Sequence, residues 1–137
     1  MSIVLAGEVI RVPENETLTG FTNWLRIQAA AVIRRRVDHH AELMGLNYTS
    51  VRISEARQRW GSCGAKNTLN FAWHLVMCPP WVIDYVVVHE LAHTVHRNHG
   101  PQFWALVAAV LPEHKEARRW LKINRYLLGY GAIGQDC

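Results

Sequence analysis

The sequence predicts an α+β fold in which helices pack on a small antiparallel sheet. Three observations carry this. Apolar residues recur at helical spacing through one long segment. Two short segments further on read as strands. A Pro-Pro pair then opens a series of helical segments that fills most of the remaining chain. The 137 residues suit one compact domain, 1–137, with residues 1–19 as a short N-terminal extension.

Taken in order, residues 7–12 read as a short strand, with Val9, Ile10 and Val12 apolar, and residues 13–19 as a loop. Residues 20–44 form the long helix. Phe21, Trp24, Leu25, Ala29, Val32, Ile33, Val37 and Leu43 recur near its period, and Gly45 suits the cap. Val51-Arg52-Ile53 alternates like a strand. Residues 69–75 make another, with Phe71 and Trp73 on one side and Asn70, Ala72 and His74 on the other. Pro79-Pro80 starts a helix expected over 80–97, since proline is tolerated in a first helical turn. Residues 103–110 form a further helix. Leu111-Pro112-Glu113 breaks the chain before a last one over 113–127.

Composition narrows the class. Half the residues are apolar and six are Trp, so the chain buries a core. Three cysteines, at 63, 78 and 137, do not form a disulfide framework and fit a cytoplasmic setting. The first residues lack the basic start and apolar length of a secretory signal, and no stretch reaches the length of a membrane span. The net charge is +4 and the pI 9.3. Residues 1–50 are balanced, five basic against five acidic, whereas residues 51–137 carry ten against six. Attraction to a polyanion is the sharper reading of that excess and predicts weak, salt-sensitive DNA binding without base specificity. Arg34-Arg35-Arg36, in the balanced half, reads as a solvated helix face.

The chemistry concentrates in His89-Glu90-Leu91-Ala92-His93. Two histidines four apart lie about 40° apart around a helix, so both rings leave one face and can share a metal ion. Glu90 sits one step round, where it can reach a water on that metal without being a ligand. The apolar run 81–88 that leads in predicts a buried helix, whose imidazoles need partners that a metal supplies. His96 and His99 compete as third ligand. His96 is in phase, but about 10 Å along the axis from His89 on a straight helix. His99 requires the helix to end first, with Asn98 as a left-handed cap, Gly100 as a second flexible point and Pro101 blocking continuation. This geometry favours His99.

Elsewhere, Trp60 reads as core, Gly61 as a tight backbone point and Cys63 as a small buried thiol. Cys63 as a fourth ligand would instead close the site. If strand 69–75 is a sheet edge, Asn70, Ala72 and His74 flank a bound substrate strand. Arg59, His74, Tyr126 and Tyr130 are candidates to stabilise a tetrahedral oxyanion.

Several blocks occur together: Arg59-Trp60-Gly61-Ser62-Cys63, residues 69–75, Pro79-Pro80, residues 84–93 and residues 98–104. In content and order they resemble the YgjP-like metallopeptidases, and the last block is also similar to the SprT and Spartan group of zinc proteases. The resemblance implies a zincin-like fold and a zinc-dependent hydrolase acting on peptides. It implies His89, His93 and His99 as metal ligands and Glu90 as catalytic acid/base. His74 stands where these relatives carry a basic residue. The rival reading is a zinc-binding nucleic-acid or protein-interaction module with little turnover, which would have no use for Glu90.

Overall fold

The structure of the protein, a computed structural model, describes residues 2–12, 17–55 and 59–128. Tyr130, Cys137 and most of the segment expected as a loop before the first helix lie outside them. Two antiparallel strands, β1 (Ser2–Leu5) and β2 (Glu8–Arg11), open the chain, joined by Ala6 and Gly7. Both turn residues have positive φ, 55° and 80°, the combination that matches a two-residue hairpin to strand twist. Only β2 was legible in the sequence. Ile3-Val4-Leu5 lacks a polar alternation to mark it as a strand.

Helix α1 (Leu18–Met44) follows. Thr17 caps its N-terminus, its hydroxyl accepting from the Gly20 N–H at 3.0 Å. Gly45 ends it in the left-handed region at φ 66°, as expected. Ala29, Val32, Ile33, Val37 and Ala41 form its buried stripe. Leu43, expected on that stripe, is 67% exposed because it lies about 160° round the helix from buried Ala41, while its neighbour Met44 packs on the core.

A three-stranded sheet comes next, built from β3 (Ser50–Ser54), β4 (Gly61–Cys63) and β5 (Thr68–Ala72) in the order β3-β5-β4. It corrects the all-antiparallel expectation. The chain reverses once before β4 and again at the tight turn before β5, so β5 runs parallel to β3 and antiparallel to β4. The strand expected over 69–75 also ends early. Trp73–Met77 winds into a 3-10 helix, whose carbonyl at Leu75 accepts from the Cys78 N–H just ahead of Pro79.

Helix α2 (Pro80–Ala92) is the centre of the molecule. Its β-branched run of valines disfavours a helix by a few tenths of a kcal/mol per residue. Burial overrides that: Val82, Ile83, Val87, Val88 and Leu91 are fully buried, each contributing about 1.5–3 kcal/mol. A helix apolar on all sides must be surrounded. Here α1, β4, α3 (Pro101–Val110) and α4 (His114–Ile123) surround it. A 3-10 turn, Arg125–Leu128, ends the described chain. No helix among these is long and apolar enough to cross a membrane.

Arg34 and Arg35 are exposed, as expected, and Arg36 is half-buried, but all three hold partners in other elements. Successive helical residues point 100° apart, so each reaches a different element. Arg34 donates to the Val51 carbonyl of β3 at 3.2 Å. Arg35 pairs with Glu8 of β2 at 2.8 Å. Arg36 reaches Asp84 of α2 at 2.7 Å and the Ala6 carbonyl at 3.0 Å. His40, one turn further on, meets the same Asp84 oxygen at 3.1 Å.

Burial alone would raise the Asp84 pKa. The hydrogen bonds from His40 and Arg36, and then their charges, outweigh it, and the carboxyl is held below its ordinary value. A depressed folded-state pKa stabilises the fold above the unfolded value of about 3.9 and loses that contribution as pH falls through the folded value. Asp84→Asn is therefore expected to lower stability at pH 7 by about 1–3 kcal/mol, reduced because the pair is part-exposed. The gap to the wild type should close as pH drops below 4. Urea unfolding of both proteins across that range checks it, and equal midpoints at pH 7 would contradict it.

Candidate metal centre

Helix α2 delivers its polar cargo in its last turn. His89, Glu90 and His93 are 3%, 2% and 6% exposed. His89 and His93 share a face, their ring centroids 5.0 Å apart. The helix ends at Ala92, earlier than the 97 expected. The Thr94, Val95 and His96 amides fold back onto the Leu91 and Ala92 carbonyls in a tightening turn. Asn98 does not take the left-handed cap expected of it: among the described residues Ala6 and Asn67 are the non-glycine ones with positive φ, and Gly100 is extended. The return is made by the wound turn itself, and Pro101 starts α3 as its first residue.

This path brings His99 back over the helix end. Its Nε2 lies 3.0 Å from His93 Nε2 and 3.2 Å from His89 Nε2. Three imidazole nitrogens around one tetrahedral ion at 2.0–2.1 Å sit about 3.3–3.4 Å apart, so the three atoms converge as such a centre requires. Among the described residues, His89, His93 and His99 are the group of His, Cys, Asp and Glu side chains close enough to share an ion. His96 is not in that group and contributes its backbone instead. Its carbonyl lies 2.9 Å from His93 Nδ1. A carbonyl only accepts, so this Nδ1 carries the proton and the lone pair falls on Nε2. Tyr85, one turn before His89, places its hydroxyl 3.2 Å from His89 Nδ1 and can fix that ring in the same way.

Aromatic packing sets the ring orientations. Phe103, fully buried in the first turn of α3, lies 4.9, 4.5 and 4.9 Å from the His89, His93 and His99 ring centroids. Trp104 stacks on His99 with an interplanar angle of 28°. The sequence held a signal for Tyr85, which is four residues from His89 on a helix. For Phe103 the signal was its place in the block 98–104 that carries the resemblance, not any periodicity.

Glu90 points toward β4. A Cβ on Gly61 would lie 3.2 Å from both Cγ and Oε2 of Glu90, so the bare backbone of Gly61 leaves room for the carboxylate, as the tight point there suggested. Trp60 is core, 6% exposed. Cys63 is only half-buried and stands outside the metal group, so it does not close the site. Burial raises its thiol pKa, the Arg97 guanidinium offsets part of this, and the charge of Glu90 adds to it. Arg97, not singled out in the sequence, ties the ligand loop to the turn after β4. It donates to the Gly64 carbonyl at 2.9 Å and the Ala65 carbonyl at 3.1 Å, and also to Asn67 Oδ1.

The substrate-edge expectation needs correction. Strand β5, which carries Asn70 and Ala72, is paired on both sides and is central. Ala72 is 1% exposed, and His74 sits on the 3-10 turn, stacked against Trp73 at 4.0 Å. Periodicity cannot distinguish a central strand from an edge strand. Among the described residues β3 and β4 each have an outer side lacking a ladder partner, and of the two it is β4 that lies beside Glu90. Arg59 is exposed just before it, and Tyr126 is 68% exposed beyond α4.

Comparison with known proteins places this geometry in context. Residues 7–124 match the model of a family described as YgjP-like, metallopeptidase domain. The fold is similar to that of the metallopeptidase zymogen abylysin of Pyrococcus abyssi. The TM-score is 0.61 at 22% identity, covering 68% of this chain and 95% of that one. The likeness agrees with a zincin-like α+β fold. No curated protein matches the sequence.

Two expectations follow for metal affinity, both read by chelator competition on folded protein. His99→Ala should weaken Zn²⁺ binding by on the order of 100-fold or more, and His96→Ala far less, because His96 acts through its main chain. The reverse order would overturn the ligand set. Tyr85→Phe should cost about tenfold, and unchanged affinity would show that the Tyr85 hydroxyl does not orient His89.

Proposed function

The chain belongs to the YgjP-like metallopeptidase family, and on that premise we propose that it is a zinc-dependent peptidase with His89, His93 and His99 as ligands and Glu90 as general base. One observation carries the reading: three Nε2 atoms converge at a point beside a buried carboxylate that is not one of them. Three neutral imidazoles suit Zn²⁺, and three protein ligands are the usual number in catalytic zinc sites. When bound, the ion lowers the pKa of water and polarises a carbonyl.

The remaining work falls to the chain. Glu90 takes a proton from the attacking water and returns it to the leaving amine, a transfer that general-base catalysis rewards by a factor of about 10²–10⁴. Phe103 and the outer hydrogen bonds of His89 and His93 keep the imidazoles from reorienting during that cycle. The substrate extends along the outer edge of β4, where main-chain groups of 61–63 can pair with it and hold the scissile bond over Glu90. Arg59 flanks the start of that edge. A metal-binding module without turnover would leave Glu90 buried at a cost and without a task.

Glu90→Gln tests the assignment. It should keep one equivalent of zinc and the wild-type melting profile, while peptide hydrolysis falls by at least about 100-fold. Chelation of the wild type should abolish hydrolysis and added zinc restore it. Undiminished turnover by Glu90→Gln would remove the general-base role.

A further inference from the structure

The basic excess of the chain has an address. Helix α4 and the turn after it carry Lys115, Arg118, Arg119, Lys122 and Arg125 against the single Glu116, an excess equal to the whole net charge of +4. At 100° per residue Lys115, Arg118, Arg119 and Lys122 fall within an arc of about 100° on one face of α4, on the side away from buried Ala117 and Leu121, and Arg125 stands on the turn that follows. All five are exposed, and among the described residues Lys115, Arg119, Lys122 and Arg125 make no ion pair. Together they make a stripe about 15 Å long.

The stripe is joined to the metal centre. The Arg118 guanidinium lies 5.1 Å from the centre of the Trp104 ring, and Trp104 stacks on His99. Trp104 stacks on His114 as well, at 5.4 Å. Burial, followed by the charges of Lys115 and Arg118, lowers the His114 pKa, which marks a positive local field. Arg118 is thus no more than about 11 Å from the His99 ring, roughly three residues of extended chain.

We propose that the basic face of α4 is a specificity surface that selects polypeptide substrates carrying a run of Asp and Glu beginning about three residues from the scissile bond. This rests on the peptidase reading and names its substrate class. An acidic polypeptide fits better than DNA. The stripe comes within peptide distance of the ligands at Arg118, and its length matches four or five extended residues rather than a duplex footprint. Arg34, Arg35 and Arg36, which would have widened a DNA surface, are tied to the Val51 carbonyl, Glu8 and Asp84.

The test uses the zinc-loaded protein and three quenched fluorogenic peptides with one common cleavable centre. One bears four Asp/Glu on the N-terminal side, one bears them on the C-terminal side, and one has Asn/Gln throughout. One of the two acidic peptides should show kcat/KM about tenfold above the neutral one at low salt, mainly through KM, with the advantage shrinking at high salt. The double variant Arg119→Glu/Lys122→Glu should lose that preference. Arg11→Glu/Arg52→Glu, with the same change in net charge elsewhere, should retain it. Equal rates on all three peptides, or a preference that survives Arg119→Glu/Lys122→Glu, would overturn the proposal. If no peptide is cleaved, the peptidase reading fails separately, and fluorescence anisotropy of the labelled acidic peptides decides the surface. Binding that Arg119→Glu/Lys122→Glu abolishes upholds it, and no binding at low salt refutes it. Duplex DNA displacing the acidic peptides at lower concentrations than they bind would assign the stripe to nucleic acid instead.

Discussion

Helix α2 has to be enclosed on every side and still carry two imidazoles and a carboxylate in its last turn. The rest of the molecule is arranged around that conflict. Its valines gain stability only when covered, so α1, α3, α4 and β4 all pack on it. His89, Glu90 and His93 would be costly in the same environment without partners. The conflict is resolved at one end of the helix. There the chain doubles back, bringing a third imidazole, and the glycine backbone of β4 leaves room for Glu90. Stability and chemistry are therefore drawn from one helix and its C-terminal cap, divided by position along it.

Clamping at a distance is the second theme. Helix α1 uses three consecutive arginines to bind β3, β2 and α2, with partners 17, 27 and 48 residues away in sequence. Arg97 does the same on a smaller scale for the loop that holds His99. In each case the guanidinium fork reaches a backbone carbonyl, a carboxylate or both, which a lysine ammonium serves less well.

What was legible in the sequence follows from the range of each interaction. His89, Glu90 and His93 could be placed because helical period is a local property, and His99 could be preferred to His96 by excluding a straight helix. The exit route of the helix could not be read. Asn98 looked like the turning point, yet an ordinary right-handed turn through residues 93–96 suffices. Strand β4 escaped notice because three residues, Gly-Ser-Cys, cannot display an alternation. The parallel pairing of β3 with β5, and so which strand is central, depends on how the chain crosses between them. The roles of Phe103 and Arg97 depend on contacts across ten or thirty residues that no periodicity encodes.

The Arg97 clamp closes a circuit. From Glu90 the contacts run through Gly61 to β4, along β4 to its turn, through the guanidinium to the ligand loop, from His99 to Phe103, and back through His89 and His93 to the helix. A circuit has no loose end at which fraying can begin. Opening any one link exposes groups whose partners lie in the next, so the centre behaves as a single cooperative unit of local unfolding. Dispersal of the three imidazoles and loss of the β4 edge become one event rather than two. Amide protons of 61–63 and of 94–97 should then share a common exchange rate, although they belong to different elements of the chain.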